Sequence, residues 1–352
     1  MKKQIWISVC LAVLAVSSVN AHKINPMQDK YKQDSVVDLR FASEPVHEEI
    51  TQIARACQKS ESDPLKASLV CTDRNARATH PGGNKYDALI RGVWWNDDPD
   101  QLLFAGRQGV FGVWLKDAEH IARTGRNLRW QRVKPIGPDY YMTYRVHYGD
   151  LQFIHAMAAA DGDRPETTRS DALAWAEFAY AVATGRLDPE TKMNLVRVPR
   201  IAELFRSRPG WTVNYLFAPK SRLRESGYTR DMAAGSLLHL VQDSYSATHT
   251  KRAFDATPIC PFGRVLQFYS YTHQDPDSHA AQDTRSGWQS GSFTDAQNPV
   301  NASATMLAYV RAGAEWEVVK PYLENVVFCI DGDAAAAGPG IYTTADYDGA
   351  GR

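Results

Sequence analysis

The stretch that decides the fold is residues 231–249, which read DMAAGSLLHLVQDSYSATH. Apolar residues fill most positions before Asp243, so the stretch predicts a helix that is buried on most sides. His239 and Asp243 lie four residues apart and therefore share one face of that helix. His249 follows six residues later, where we expect the helix to end or bend.

A buried carboxylate and imidazole on one face need a partner, because an unpaired buried carboxylate costs several kcal/mol. A metal cation would supply that partner. A structural ion pair between His239 and Asp243 would also satisfy both side chains, and the four-residue spacing taken alone favours this simpler interpretation. The rest of the chain has to decide between the two.

Other segments also predict helices. The clearest are His47 to Cys57, a segment from Asp150 to about Ala160, a helix capped by Ser170 and ended near Gly185, and a helix from about residue 304 to 327 that bends near Pro321. Strand signals are few and short. The predicted fold class is therefore all-α, a single helical domain with long loops.

The N-terminus has the pattern of a secretory signal. Lys2 and Lys3 precede an apolar run, and Val19-Asn20-Ala21 has small residues where a signal peptidase cleaves. We expect residues 1–21 to be a signal peptide, residues 22–330 to be the helical domain, and residues 331–352 to be a tail without regular structure. An uncleaved anchor is the alternative. The predicted location is secreted or periplasmic, with no transmembrane segment after the signal.

Charge gives no reason to expect a nucleic-acid partner. The chain has 40 basic and 40 acidic residues. Loss of Lys2 and Lys3 with the signal leaves a net charge of −2, without the basic surplus that binding to a phosphate backbone favours.

Four cysteines remain after Cys10 is removed with the signal, and an even number in an exported chain suggests disulfides. Three pairings are possible. We favour Cys57–Cys71, which closes a short local loop, and Cys260–Cys329, which ties down the C-terminal segment. The chain has no C-x-x-C pair, so a thiolate metal site is less favoured.

Further histidines and aspartates shift the interpretation towards metal. His47 opens the first helix, and two aspartates follow the aromatic pair Trp94-Trp95. A second four-residue His/Asp spacing occurs near residue 280. The additional candidate ligands are His47, Asp97, Asp98, His147, His279 and Asp283. Imidazole and carboxylate ligands suit Zn²⁺, and multinuclear sites of this kind hydrolyse phosphate esters.

The spacing His239-x3-Asp243-x5-His249 resembles the central H-x3-D-x5-H motif of the zinc-dependent phospholipase C and single-strand nuclease superfamily. His47, Gly92-x4-Asp97, His147-Tyr-Gly-Asp150 and His279-x3-Asp283 follow the family's other ligand segments in order, with Asp283 where the family has Glu. The resemblance spans roughly residues 40 to 285. The segments WWNDDP, HYGDLQFIHAM and HLVQDS are most similar to bacterial secreted phospholipases C that hydrolyse phosphatidylcholine.

The resemblance implies three zinc positions. The first would be bound by Asp97, His147, His239 and a bridging Asp243. The second would be bound by His249, His279 and Asp283. The third would be bound by His47 and Asp243, together with the N-terminal amine that the family uses. Asp97 is also the residue expected to orient or deprotonate the attacking water.

Several alternatives stay open. Asp98 competes with Asp97, and the pair His273/Asp277 competes with His279/Asp283. His155, on an apolar segment, is interpreted as a hydrogen-bonded core histidine rather than a ligand. The predicted mature end, His22, lies 25 residues before His47, whereas family members begin only a few residues before that histidine.

The resemblance implies a phospholipase C that acts on phospholipid at a membrane surface and releases diacylglycerol and a phosphorylated headgroup. One rival is a single-strand nuclease or nucleotidase on the same scaffold. The other is a non-catalytic, zinc-stabilised exported protein. The pairs Trp94-Trp95 and Tyr140-Tyr141 are expected to lie in the core, although aromatic rings can also pack on choline.

Overall fold

The computed structural model describes residues 44–60, 71, 87–103, 108–124, 142–219, 226–275, 278–279 and 293–344. The predicted signal peptide lies outside the described residues. Ten α-helices lie within the described part of the chain: α1 Val46–Ser60, α2 Ala88–Trp95, α3 Gln108–Thr124, α4 Met142–Tyr148, α5 Pro165–Ala183, α6 Pro199–Leu204, α7 Val213–Phe217, α8 Ser226–Asp243, α9 Pro299–Ala312 and α10 Trp316–Tyr322. Short 3₁₀ helices span Gln152–His155 and Met193–Leu195, and a π-helix spans Leu323–Val327. The prediction of a mostly helical chain is confirmed.

Helix α8 is the centre of the fold, as its apolar sequence predicts. It packs against α1, α2, α5, α7 and α9. On one side an aromatic layer forms the main apolar core, with Trp95 stacked on Trp175 at 5.6 Å between ring centroids and Phe217 against both rings. Burying such large side chains is the dominant favourable term in folding. This core fixes α2, α5 and α8 relative to one another.

Helices α2 and α8 touch backbone to backbone at two glycines. A Cβ atom on Gly92 would lie 2.2 Å from Met232 O, and one on Gly235 would lie 2.2 Å from Leu89 O. Real Cβ atoms never approach a carbonyl oxygen this closely, so only glycine allows the crossing. The crossing places the last turn of α2 beside the part of α8 that carries His239.

Three short strands follow α8 and were not predicted, so the all-α class needs correction. Strands β1 (Thr250–Ala253) and β2 (Arg264–Tyr269) pair antiparallel, and β3 (Ala335–Gly338) pairs parallel to β2. The sheet order is β1-β2-β3. The tail was also predicted to lack regular structure beyond Asp331, but β3 lies within it, because its backbone completes the edge of the sheet.

Three helix predictions are wrong in detail. After Asp150 only the 3₁₀ helix Gln152–His155 forms, because Ala156 adopts a left-handed conformation, with φ of 54°, and ends it. Helix α5 begins at Pro165, before Ser170, and ends next to Gly185, whose φ is 74°. The helix predicted from residue 304 to 327 is interrupted at Gly313, the left-handed C-cap of α9, and changes to a π-helix after Pro321.

Both predicted disulfides are present. Cys57 is bonded to Cys71 and Cys260 to Cys329. The first attaches the C-terminal part of α1 to residue 71, whose backbone N–H donates to Asn301 Oδ1 on α9. Within the described ranges, no helix has both the length and the apolar character needed to cross a membrane.

Candidate metal centre

Six histidines and two aspartates from different elements converge beside the C-terminal half of α8. Each of them is buried, with at most 4% of its surface exposed. They come from the start of α1, the end of α2, the last turn of α4, the 3₁₀ helix, α8, the residue before β1 and a segment after β2. The eight are His47, Asp97, His147, His155, His239, Asp243, His249 and His279.

Asp243 is the centre of this cluster. Its Oδ1 lies 3.2 Å from His47 Nε2, and its Oδ2 lies 2.8 Å from His239 Nε2. The same Oδ2 lies 2.8 Å from His155 Nδ1 and 3.4 Å from His249 Nδ1. One carboxylate therefore faces four imidazoles through both of its oxygens, which is the arrangement expected of a bridging ligand.

Three imidazoles are oriented by backbone carbonyls. The contacts are His147 Nδ1 to Thr143 O at 2.9 Å, His239 Nδ1 to Val93 O at 2.6 Å and His249 Nδ1 to His155 O at 2.7 Å. A carbonyl oxygen only accepts hydrogen bonds, so each Nδ1 carries the proton and donates it. In a neutral ring, Nε2 is then left with a lone pair. Metal-binding histidines are fixed in this way.

Two glutamines orient two further imidazoles. His47 Nδ1 lies 2.6 Å from Gln242 Oε1, and His279 Nδ1 lies 2.6 Å from Gln274 Oε1. The amide orientation of Gln274 is set by its Nε2, which donates to Thr248 O at 2.8 Å. Since both glutamines present their oxygen, His47 and His279 also donate from Nδ1 and present Nε2.

His155 is oriented in the opposite sense. Its Nε2 donates to Asn96 O at 3.2 Å, so its Nδ1 is the nitrogen that points into the cluster. That Nδ1 lies 3.0 Å from His239 Nε2 and 2.8 Å from the carboxylate of Asp243. In the neutral rings both nitrogens are acceptors, and they repel each other and the carboxylate at this distance. A cation between them removes the repulsion.

Electrostatics favour a neutral imidazole at His147 and at His239 and an ionised carboxylate at Asp243. Burial, reinforced by His155, lowers the pKa of His147 to about 3. Burial also holds the pKa of His239 well below its usual value, although Asp243 opposes the shift. For Asp243, burial alone would raise the pKa, but the surrounding histidines outweigh it and hold the pKa well below its usual range. Neutral imidazole and ionised carboxylate are the forms that bind metal.

His47 differs from His147 and His239 in the direction of its pKa shift. Burial lowers its pKa, but the charge of Asp243, the hydrogen bonds to Asp243 and Gln242 and the charge of Glu48 together outweigh burial, so the pKa of His47 is raised above its usual value. A proton on His47 is therefore one way in which the metal-free cluster balances the carboxylate.

Among the residues that the structure describes, two groups of side chains have donor atoms close enough to hold a metal ion. Their members are His47, His239 and Asp243 in one, and Asp97, His147 and His155 in the other. Nitrogen and oxygen donors of this kind are compatible with zinc. The grouping differs from the one that the resemblance implies, because His155 stands beside Asp97 and His147, and His239 stands beside His47.

His249 and His279 form a third part of the cluster. Their ring centroids lie 5.2 Å apart, and Tyr271 contacts both, with its hydroxyl 3.4 Å from His249 Nε2. Asp283, predicted as their partner, lies outside the described residues. Of the competing pair, Asp277 also lies outside them. The side chain of His273 is 42% exposed, and its Nδ1 lies 2.7 Å from the carboxylate of Asp161.

The structure separates the two neighbouring aspartates. Asp98 accepts from the backbone N–H groups of Leu102 and Leu103, both at 2.8 Å, so it holds the turn after α2. Asp97 instead belongs to the group with His147 and His155. Asp150 forms a two-point ion pair with Arg145 at 2.7 Å and so acts in local structure.

The aromatic pair before these aspartates lies in the interior, as expected. Trp94 and Trp95 are both buried, and Trp94 Nε1 donates to Glu48 Oε1 at 2.6 Å. Tyr140 and Tyr141 lie outside the described residues.

Sequence reasoning did not include His155 among the candidate ligands, although the structure places it in a group that could hold a metal ion. It did not single out Gln242, Gln274 or Tyr271. His155 lies between apolar neighbours, Phe153-Ile154 and Ala156-Met157, which suggests a core position. His155 is indeed buried, but its ring contacts the buried histidines and aspartates rather than apolar side chains alone. For Gln242 the available signal is its place beside Asp243 on a helix with few polar residues.

Comparisons with known proteins leave the centre to be interpreted from its own chemistry. No protein-family model, curated protein or solved structure matches the chain.

Proposed function

We propose that this chain is an exported zinc-dependent phosphodiesterase that cleaves phospholipids at the glycerol–phosphate bond, a phospholipase C. One observation carries the metal part of the proposal. His239 Nε2 and His155 Nδ1 are 3.0 Å apart beside the carboxylate of Asp243, and both rings donate from their other nitrogen to a backbone carbonyl. Such a set is favourable around a cation.

The residues present fit zinc. His47, His239 and Asp243 would hold one ion, and Asp97, His147 and His155 would hold a second. A third would be bound by His249 and His279, with Asp283 as the ligand that the motif suggests. When bound, zinc supplies an activated water nucleophile and neutralises charge that develops on phosphoryl oxygens.

The chain's own residues would orient and transfer protons at this site. Asp97 Oδ1 lies 4.0 Å from His155 Nδ1 at the edge of the cluster, so its carboxylate can orient an attacking water and accept its proton. Tyr271, close to His249 and His279, can donate a hydrogen bond from its hydroxyl to a phosphate oxygen.

The choice of phospholipid rests on sequence. The ordered motifs resemble secreted phospholipases C, and the near-neutral chain lacks the basic surplus that favours nucleic acid. The predicted signal and the two disulfides favour an oxidising compartment outside the cytosol.

Metal analysis combined with a parallel hydrolysis assay tests the proposal. We expect the purified protein to contain zinc and to release diacylglycerol from phosphatidylcholine faster than it degrades single-stranded DNA. His155→Gln should lose zinc and activity. The matched control His273→Gln, which changes a histidine bonded to Asp161 instead, should keep both.

Each other outcome selects a rival. Faster degradation of single-stranded DNA would favour the nuclease. Zinc binding without hydrolysis of any phosphodiester would favour a structural role for the metal. Absence of zinc from an active protein would show that the cluster is not a zinc centre.

A further inference from the structure

The connection between β1 and β2 carries an exposed apolar tip. Residues 257–263, called the hairpin tip below, read TPICPFG. The side chains of Ile259 and Phe262 are exposed, with 65% and 47% of the residue surface accessible, and Pro258 and Pro261 are exposed beside them. Large apolar side chains grouped on a protruding turn mark a surface that binds an apolar partner.

The hairpin tip is held in one shape. Cys260 is disulfide-bonded to Cys329, which anchors the centre of the tip to the segment before β3. Thr257 N donates to Cys260 O at 3.0 Å, and Cys260 N donates back to Thr257 Oγ1 at 3.0 Å. A rigid tip loses little conformational entropy when it binds a partner.

The backbone of the hairpin tip is suited to a lipid environment. Its prolines have no N–H group, and the N–H groups of Thr257, Cys260 and Gly263 all donate within the tip. Five of its seven residues therefore have no backbone N–H group that would lack a hydrogen-bond acceptor at a lipid surface. Since each unsatisfied group costs several kcal/mol in hydrocarbon, satisfying these five positions lowers the cost of bringing the hairpin tip close to lipid.

Charge at the base of the hairpin tip favours a particular kind of lipid. Arg264 pairs with Asp255 at 3.0 Å, Asp331 at 3.4 Å and Asp333 at 3.0 Å. Three carboxylates around one guanidinium leave an acidic collar. Such a collar is repelled by anionic lipids, whereas it attracts the outermost ammonium groups of zwitterionic lipids.

The hairpin tip is connected directly to the candidate metal centre. His249 immediately precedes β1, and Tyr271 follows β2 by two residues. Both strands of the hairpin therefore begin or end at the cluster.

We propose that the hairpin tip inserts Ile259 and Phe262 into the headgroup region of a zwitterionic, phosphatidylcholine-rich surface and holds the enzyme there. This inference deepens the proposed function and rests on it for the identity of the surface. The acidic collar contacts the choline ammonium groups, while the two side chains enter the apolar layer below.

Co-sedimentation of the full chain with vesicles tests the proposal. One set of vesicles is pure phosphatidylcholine, and the other contains phosphatidylglycerol as half of its lipid. The variant Ile259→Ser/Phe262→Ser should bind phosphatidylcholine vesicles about tenfold or more weakly than the wild type. The matched control Leu195→Ser/Val318→Ser changes two residues that are also exposed, at 67% and 53%, and should bind like the wild type.

A monomeric short-chain phosphatidylcholine separates surface binding from hydrolysis. All three proteins should hydrolyse it at the same rate, because the tip acts only on an assembled surface. Equal vesicle binding by the tip variant would overturn the proposal, and so would preference for the anionic vesicles. A tip-dependent dimer that binds no vesicles would show that a second copy covers the tip instead.

The two proposals fail separately. Tip-dependent vesicle binding without hydrolysis would overturn the proposed phospholipase C activity but support lipid binding by the hairpin tip. Hydrolysis of the monomeric substrate without vesicle binding would overturn lipid binding by the hairpin tip but support the proposed phospholipase C activity.

Discussion

Helix α8 separates two interiors that are equally buried and differently built. On one side Leu237 and Val241 belong to the apolar core that includes Trp175 and Phe178. On the other side His239 and Asp243 face three further imidazoles, those of His47, His155 and His249. Residues on both sides are inaccessible to solvent. The apolar side is stabilised mainly by burial, whereas the polar side depends on its hydrogen bonds and, in the proposed zinc-bound protein, on a cation that balances its acceptors.

The largest effect should come from removing the negative charge of Asp243, which four imidazoles of the polar side face. Asp243→Asn keeps the shape of the side chain but leaves the surrounding imidazoles without their carboxylate. We expect hydrolysis to fall about a thousandfold or more and the zinc content to drop by at least one ion. Elemental analysis and diacylglycerol release measure these two results.

A matched control is Asp171→Asn, at a carboxylate that pairs with Arg200. It should leave both quantities unchanged. If Asp243→Asn kept its full zinc content and activity, the bridging role would be wrong.

The corresponding change on the apolar side should affect stability instead. Phe178→Ala leaves a cavity beside Trp175 and Phe217 and should lower the free energy of unfolding by about 3–5 kcal/mol. Zinc content per folded molecule should stay the same. Urea titration followed by metal analysis measures both, with the exposed Leu195→Ala as control. Loss of zinc from folded Phe178→Ala protein would contradict the separation of the two sides.

The glutamines should have a smaller effect on the polar side. Gln242→Leu removes the acceptor that holds Nδ1 of His47 and should weaken zinc binding about tenfold to a hundredfold. Gln242→Glu keeps an oxygen at that place and should restore part of the affinity. Competition with a chelator measures the binding. The control Gln267→Leu changes a side chain whose Nε2 donates to Ala336 O on β3, and it should leave zinc binding unchanged.

Acid should destabilise the metal-free protein through His147. Its folded-state pKa of about 3 is below that of the unfolded chain, near 6.5, so only the unfolded chain binds a proton between these values. Stability therefore falls as pH falls through this window, by about 1.4 kcal/mol between pH of about 7.5 and about 5.5. His147→Asn, which keeps a donor for Thr143 O, should lack this part of the pH dependence in urea titrations. An identical pH dependence in both proteins would contradict the assignment.

The smallest effect separates the two adjacent aspartates. Asp98→Asn weakens the bonds to Leu102 and Leu103 and should lower stability by about 1 kcal/mol, with zinc content unchanged. Asp97→Asn should do the reverse and lose zinc. Thermal melts and elemental analysis measure both. If only Asp98→Asn lost zinc, Asp98 would be the ligand and Asp97 the structural residue.

The helices could be predicted because their signal is local. The apolar run before Asp243 predicts a buried helix, and α8 is one. The strands could not, because β1 (Thr250–Ala253) has four residues without alternation and pairs with β2 through a bulge. Strand β3 depends on pairing with a distant segment, and its alanines and glycine give no strand signal of their own.

The predicted site residues that the structure describes come together in one cluster. They could be recognised from the sequence because histidine and aspartate are rare in apolar segments. Spacing does not, however, specify which nitrogen a ring presents. The inward Nδ1 of His155 depends on the left-handed Ala156 and on the carbonyl of Asn96. The choice between Asp97 and Asp98 likewise depends on backbone N–H groups that become available only once the turn has formed.

The glycine crossing of α2 and α8 makes the candidate metal centre depend on residues that have no side chains. The carbonyl of Val93, next to Gly92, holds His239, and this bond forms only at the separation that the two glycines permit. In a mutational scan scored by activity, alanine at Gly92 or Gly235 should therefore rank with the loss of a ligand. Such a scan would identify the glycines that position the centre as clearly as it identifies the candidate ligands.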